Sequence, residues 1–351
     1  MAGEHMAEND IVKSEFVDSS TKPTIAKVSM LYGENLEPAY VRALRSHLVH
    51  NKRFNYAMFV LTEDVVGGFW NKPIYLLSLI IQELSKPSTE RLRWLMWVDA
   101  DVILLNPSIP LEIFLPPIDL AEPIHFLGGR DHNGLNTGTF FLKVSAWSVH
   151  TLNKALRMPI YHPEIDLGKS FDQDAMSRVL SEDYGFEELA QGGEHAEKTP
   201  TARTKRLTNL TRPFLLQPRE WYNTYEFSHG YEGGDAQKGH LLVHFPGLEE
   251  QRREHMDKWL DELARNQPAW DVPFDKSVYV ELIPKYWGLV RESRKLVQTA
   301  NETLAELDPH SEQYVRLREA TDLCESPLTN TSYAIDPGED LLATMQQGYQ
   351  V

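Results

Sequence analysis

Only one cysteine, Cys324, occurs in 351 residues. No intrachain disulfide can form, and no cysteine cluster exists to hold zinc or an iron–sulfur group. Long apolar runs are also missing. The best, Ile74 to Ile81, is far shorter than the ~20 residues that span a bilayer, and it follows Lys72-Pro73. Residues 1–22 are polar and mixed in charge, so they read as a disordered lead-in rather than a signal peptide. Positive charge is scarce: 35 Lys and Arg stand against 51 Asp and Glu, a formal net charge of −16. With no basic stripe either, the charge argues against a nucleic-acid surface. Two phosphate-binding signatures, Gly-x-Gly-x-x-Gly and Gly-x4-Gly-Lys-Ser/Thr, are absent, which removes the usual dinucleotide and P-loop sites. A soluble, acidic chain remains, large enough for one big domain or two.

What is present centres on Arg93-Trp94-Leu95-Met96-Trp97-Val98-Asp99-Ala100-Asp101, followed by Val102 to Leu105 and Asn106-Pro107. Trp94 to Val98 reads as a buried strand. It ends in two aspartates one residue apart. Carboxylates are costly in a core unless paired or bound to metal. At the carboxyl edge of a strand in an open α/β sheet they face the ligand crevice. Two hard oxygen donors there suit Mg²⁺ or Mn²⁺ carrying a diphosphate. The plainer alternative is a strand and a turn in which Asp99 and Asp101 only cap.

The flanking pattern alternates strand and helix. Thr24 to Tyr32 reads as a first strand ending at Gly33. Pro38 to His50 reads as a helix with Tyr40 or Val41, Leu44 and Leu48 on one face. Phe54 to Leu61 is a second strand, and Ile74 to Leu84 a largely buried helix. This β-α-β-α-β order predicts a mostly parallel, Rossmann-like sheet flanked by helices. A proline-rich loop from Pro107 to Pro123 follows, then a short strand over Ile124 to Gly128. Arg130 to Gly138 reads as a turn, or as a polar approach that brings backbone close to a sugar. Thr139 to Val144 is a strand, and Ser145 caps the next helix.

Further on, Asp172-Gln173-Asp174 opens a helix. Asp172 suits an N-cap, with the other two in the first turn; alternatively Gln173 and an aspartate point into a cleft. Residues 185–212 read as an irregular charged excursion. Trp221, Tyr222, Tyr225 and Tyr231 form either a sugar-stacking platform or core packing. An apolar strand ends in His244-Phe245-Pro246-Gly247. An imidazole there is a structural edge residue or a third metal ligand beside the aspartates. Domain bounds follow: a lead-in over 1–22, a catalytic domain over 23–266, a helical extension over 267–325, and a weakly ordered tail over 326–351.

Taken in order, Asn71-Lys72-Pro73, Trp97-Val98-Asp99-Ala100-Asp101 with Asn106, Gly134-Leu135-Asn136-Thr137-Gly138, Ala146-Trp147-Ser148, Asp172-Gln173-Asp174-Ala175-Met176, His229-Gly230-Tyr231 and His244-Phe245-Pro246-Gly247 resemble glycosyltransferase family 34. That family holds fungal galactosyl- and mannosyltransferases and plant xyloglucan xylosyltransferases. The similarity is collinear over about residues 24 to 260. It implies a GT-A fold, a retaining mechanism, Mn²⁺ (or Mg²⁺), a UDP- or GDP-sugar donor and a glycan acceptor. By resemblance Asp99 and Asp101 hold the metal and the ribose-diphosphate, His244 is a further metal ligand, and Gly247 lies against the diphosphate. Asn136, Asp172, Gln173 and Asp174 frame the donor sugar. A Golgi setting with a membrane anchor is implied too, although this sequence shows no anchor and a cytoplasmic setting stays open.

One departure stands out. Where plant members carry a Cys-Lys pair after the His-x-x-Gly pattern, this chain has Leu248-Glu249. An acid beside a diphosphate is unfavourable unless it turns away, so Lys72, Arg252 or Arg253 must supply the positive charge. The expected function is a metal-dependent retaining transfer of a hexose, galactose or mannose. Rivals are a metal-dependent nucleotide-sugar hydrolase or nucleotidyltransferase, and a catalytically silent carbohydrate-binding relative. Nothing in the sequence bears on oligomeric state.

Overall fold

The computed structural model describes residues 24–33, 36–131, 133–184, 213–227 and 235–325. The expectations for 1–22, 185–212, 326–351 and His229-Gly230-Tyr231 lie outside these. The chain runs through β1 (Ile25–Met30), α1 (Pro38–Phe54), β2 (Ala57–Leu61), α2 (Asn71–Ser85) and β3 (Trp94–Val98). After β3 come β4 (Val102–Leu104), β5 (Phe126–Asp131), β6 (Gly134–Lys143), α3 (Ala146–Tyr161) and α4 (Phe171–Tyr184). Then follow β7 (Phe214–Leu216), β8 (Leu242–His244), α5 (Arg252–Trp270), α6 (Tyr279–Glu306) and α7 (Glu312–Glu325). Six strands form one sheet in the order β2-β1-β3-β6-β5-β7, and β4 pairs with β8 in a second, two-stranded one. In the larger sheet only β6 runs against its neighbours. The mostly parallel, helix-flanked α/β sheet that the sequence predicts is therefore what the chain adopts.

The central strand explains the layering. Every residue of β3 is buried. Leu95 and Trp97 face a core built with α2, α3 and α4, while Trp94, Met96 and Val98 face the opposite one. A strand covered on both faces reads as an unbroken apolar run, and each large side chain contributes roughly 1.5–3 kcal/mol on leaving water. Tyr279, Ile283 and Trp287 of α6 join that second core, and the Tyr279 hydroxyl donates to the Trp221 carbonyl at 3.0 Å. No helix among the described residues is long and apolar enough to cross a membrane.

Three local expectations change. The inward face of α1 is Ala39, Ala43, Leu44, His47, His50 and Asn51, while Leu48 is exposed. His47 and His50 are drawn in by Lys27 of β1, whose buried amine lies 3.1 Å from His47 Nδ1 and 2.7 Å from His50 Nδ1. Next, Gly134 to Gly138 is not a turn: β6 begins at Gly134 and is hairpinned to β5. Last, Asp172 is not a cap but the second residue of α4. The cap at Ser145 is present, its side chain accepting from Ser148 N–H.

Candidate active site

The cleft, about 600 Å³, opens where β1 and β3 end and β6 begins, and Met30, Asp99, Asn136 and Thr137 line it. Asp99 follows the last residue of β3, and its N–H donates to Gly138 O at 2.8 Å. Trp97 Nε1 donates to Asp99 Oδ1 at 2.6 Å. Asp101 lies just before β4. Because β4 and β8 are antiparallel with Val102 opposite His244, the imidazole arrives beside Asp101 from far along the chain. Oδ1 of Asp101 lies 3.4 Å from His244 Nε2. One ligand atom from each of Asp99, Asp101 and His244 lies within 4.8 Å of the others.

A discontinuity in the hairpin supplies more of the site. The β5–β6 register shifts between Gly128 and Gly129, so Gly128 faces Phe140 and Gly129 faces Asn136. Thr137 to Thr139 are thereby released from the β5 ladder, as bulged residues are. The backbone groups of Thr137 find side-chain partners instead. Thr137 N–H donates to Gln173 Oε1 at 2.9 Å, and Lys72 Nζ donates to Thr137 O at 3.1 Å. Gly138 is required by packing: a Cβ there would sit 2.1 Å from His244 Cε1.

Lys72, on the first turn of α2, is buried and pairs with Asp172 at 3.0 Å and Asp99 at 3.3 Å. Burial would lower its pKa, but the two carboxylates hold it above the ordinary lysine range. Burial pushes the Asp99 carboxyl up, with Lys72 opposing and Asp101 adding to the rise. Asp101 goes the other way: His244 and Arg252 outweigh its burial and hold it below the usual carboxylate range. Arg252 Nε lies 3.2 Å from Asp101 Oδ2.

Most sequence-predicted residues therefore meet in one cleft. Lys72, Asp99, Asp101, Asn136, Asp172, Gln173, His244, Gly247 and Arg252 all line it. Gly247 has φ +70° with open space where a Cβ would be, so its backbone conformation explains the glycine. Asp174 is not among the lining residues; its Oδ2 lies beside Gly168, and burial raises its pKa against Arg178. Glu249 points away, its side chain 79% exposed and 3.8 Å from Lys169. Arg253 is also turned outward, toward Glu37. Of the four aromatics, Trp221 and Tyr222 belong to the core, Tyr225 lines the cleft, and Tyr231 lies outside the described residues.

Sequence reasoning missed Asp131, Arg219 and Asn223. Asp131 and Arg219 line the cleft. The Arg219 guanidinium lies 3.8 Å over the Tyr225 ring, and Tyr225 OH donates to Asp131 Oδ2 at 2.5 Å. Asn223 is fully buried. Its only sequence signal was position, close after a buried aromatic pair.

The donor set suits a hard or borderline divalent cation: two carboxylates and an imidazole converge, with cleft space for further oxygen ligands. Asp99, Asp101 and His244 would hold it.

No family model matches the chain. Two fungal proteins are similar in sequence. The probable alpha-1,2-galactosyltransferase gmh1 of Schizosaccharomyces pombe is 26% identical over 126 residues, covering 27% of this chain and 36% of that protein. The probable alpha-1,6-mannosyltransferase MNN10 of Saccharomyces cerevisiae is 26% identical over 110 residues, covering 24% of this chain and 28% of that protein. The matched stretch thus spans about a third of each relative. Among solved structures, a glycosyltransferase involved in the glycosylation of the major capsid of PBCV-1 aligns with a TM-score of 0.46 and 12% identity, over 67% of this chain and all of its own. About a quarter of the chain is therefore similar in sequence to fungal galactosyl- and mannosyltransferases, which agrees with the family 34 resemblance of the ordered motifs.

Proposed function

We propose that this protein is a metal-dependent, retaining hexosyltransferase that moves galactose or mannose from a UDP- or GDP-sugar to a glycan acceptor. The observation that carries the reading is the convergence of Asp99, Asp101 and His244 within 4.8 Å at the carboxyl edge of β3. A bound Mn²⁺ or Mg²⁺ would neutralise charge building on the departing diphosphate. Arg252 and Lys72 are the cleft cations beside it, and Arg252 takes the place of the family lysine that Glu249 does not supply. Gln173 anchors its carbonyl on Thr137 N–H, which leaves its amide N–H groups to meet the reacting sugar. Asp172 is already paired with Lys72, so it orients rather than attacks. That favours attack by the acceptor on the face the diphosphate leaves, over a covalent aspartyl intermediate. Asp131 and Asn136 supply polar edges for sugar hydroxyls. The Golgi setting implied by the resemblance belongs to the same proposal.

The test is incubation with Mn²⁺, a panel of UDP- and GDP-sugars and an oligosaccharide acceptor, with products identified by mass and by anomeric configuration. Transfer with the donor's configuration kept, abolished by EDTA, is expected. Nucleotide release without acceptor would point to a hydrolase, and sugar binding without turnover to a silent relative. Gln173→Ala should lower turnover far more than nucleotide affinity. Equal losses would assign Gln173 to donor binding instead.

A further inference from the structure

The metal-site reading needs more than three ligand atoms close together. Imidazole has two nitrogens, and which one carries the proton decides whether Nε2 can donate its lone pair to a cation. In His244 it is Nε2 that faces Asp101. In water the common neutral form of a histidine side chain carries its proton on Nε2, the wrong one for this purpose. Something must hold the other form.

For the neutral imidazole, the hydrogen bonds around His244 permit only one assignment. A backbone N–H can only donate. Gly138 N–H points at the Asn136 side chain, at 2.9 Å, so that end of the Asn136 amide must be the oxygen. Asn223 meets the same oxygen at 2.8 Å, so its end there must be the NH₂. The far end of Asn223 is then its oxygen, and it lies 2.7 Å from His244 Nδ1. An oxygen acceptor requires a proton on Nδ1, and in the neutral ring that leaves the Nε2 lone pair facing the aspartates. The other end of Asn136 agrees. It meets Asp131 Oδ2 at 3.1 Å and Tyr225 OH at 2.8 Å, and a carboxylate accepts only from the NH₂. The orientation of each amide is thus set by the network.

We infer that Asn223 is a positioning residue for His244, passing the polarity of the Gly138 backbone amide through Asn136 to fix Nε2 as a metal ligand. The inference rests on the metal-site reading of the preceding section. Asn223 is suited to the task by its surroundings. It is fully buried, so bulk water does not compete for its amide. Its own backbone is pinned: Asn223 N–H donates to Arg219 O at 2.8 Å, and Arg219 Nη1 donates to Asn223 O at 3.2 Å. The same relay ties the metal end of the cleft to Asn136 and Asp131 at its sugar end. Groups that orient a metal-bound histidine commonly alter affinity by 10–100-fold when removed.

The test uses the full chain with neither donor nor acceptor. Long-range proton–nitrogen NMR correlation, at a pH where the imidazole is neutral, reports which nitrogen of His244 bears hydrogen. Mn²⁺ affinity is measured by the paramagnetic resonance of free ion. The parent should show the Nδ1–H form. Asn223→Leu should lose it and bind Mn²⁺ about 10–100-fold more weakly. Asn223→Asp, which keeps an acceptor for Nδ1–H, should retain both the tautomer and most of the affinity, and serves if the leucine variant fails to fold. An Nε2–H form in the parent, parental Mn²⁺ affinity in Asn223→Leu, or equal losses in both variants would overturn the inference. Both readouts are independent of sugar transfer, so failure of the transferase reading and failure of this one are separable.

Discussion

Gly138 carries two duties that no other residue type can combine. Its N–H orients Asn136, and its missing side chain is the space in which the His244 ring rests. Gly138→Ala would place a Cβ 2.1 Å from His244 Cε1, and the ring is too buried to move aside freely. Overpacking of this kind costs about 1–3 kcal/mol. The variant should melt earlier and bind Mn²⁺ more weakly than the parent, as read by thermal unfolding and metal titration. Parental Mn²⁺ affinity would show that the imidazole need not sit against β6. Sequence alone leaves Gly138 at the end of a turn or of a polar approach to a sugar; the ring above it becomes visible only once β8 is in place.

Between elements, buried charges set the register. Lys72 of α2 and Asp172 of α4 are 5% and 3% exposed in their side chains and lie 3.0 Å apart. Removing one partner of a buried pair typically costs about 3–5 kcal/mol, because the other charge is stranded. Lys72→Met should therefore be strongly destabilised in urea unfolding, and adding Asp172→Asn should recover much of the loss. Additive losses would mean the two carry no coupling. On the other side of the sheet, Lys27 joins β1 to α1 through His47 and His50. Those imidazoles approach Val102 O and Ile109 O at 3.3 and 2.8 Å through Nε2, so each Nδ1 accepts from the Lys27 amine. Burial holds the Lys27 pKa well below its ordinary range. Between that lowered value and ~10.4 the unfolded chain binds a proton that the folded chain does not, so this group's contribution to stability rises with pH. Lys27→Met leaves two imidazole nitrogens without a donor, at about 1–3 kcal/mol each. The gap in stability between parent and variant should widen as pH rises from neutral to alkaline, which denaturant titrations at several pH values would show; a constant gap would mean that Lys27 is charged in the fold.

At the scale of the whole molecule, an acidic chain keeps cations where phosphate is expected. Its net charge is −16, yet Lys72, Arg219 and Arg252 line the one cleft that holds the aspartate pair. A ligand that binds only the folded state stabilises it by mass action, by about 2.7 kcal/mol at 100 times its dissociation constant. Mn²⁺ with UDP or GDP should accordingly raise the melting temperature of the parent and leave Asp101→Asn nearly unmoved. An equal rise in both would place nucleotide binding away from this site.

The strand, the helices around it and the aspartate pair at its end are written in the sequence, because burial on both faces imposes an unbroken apolar run and helices impose their own period. β3 is where the sequence places it, and the order of motifs pointed to the relatives that comparison finds. Some features are invisible at that level because they are made by contacts between distant segments. His47 and His50 look like the polar side of α1 until Lys27 is placed opposite them. Asp172 looks like a cap until Lys72 claims it. The β5–β6 register shift, which frees Thr137 for Gln173 and Lys72, depends on pairing that no local pattern encodes. Asn223 is an ordinary asparagine in sequence. Only the antiparallel seating of β8 on β4, which carries His244 to Asp101 over Gly138, makes it the group that decides which imidazole nitrogen faces the cleft.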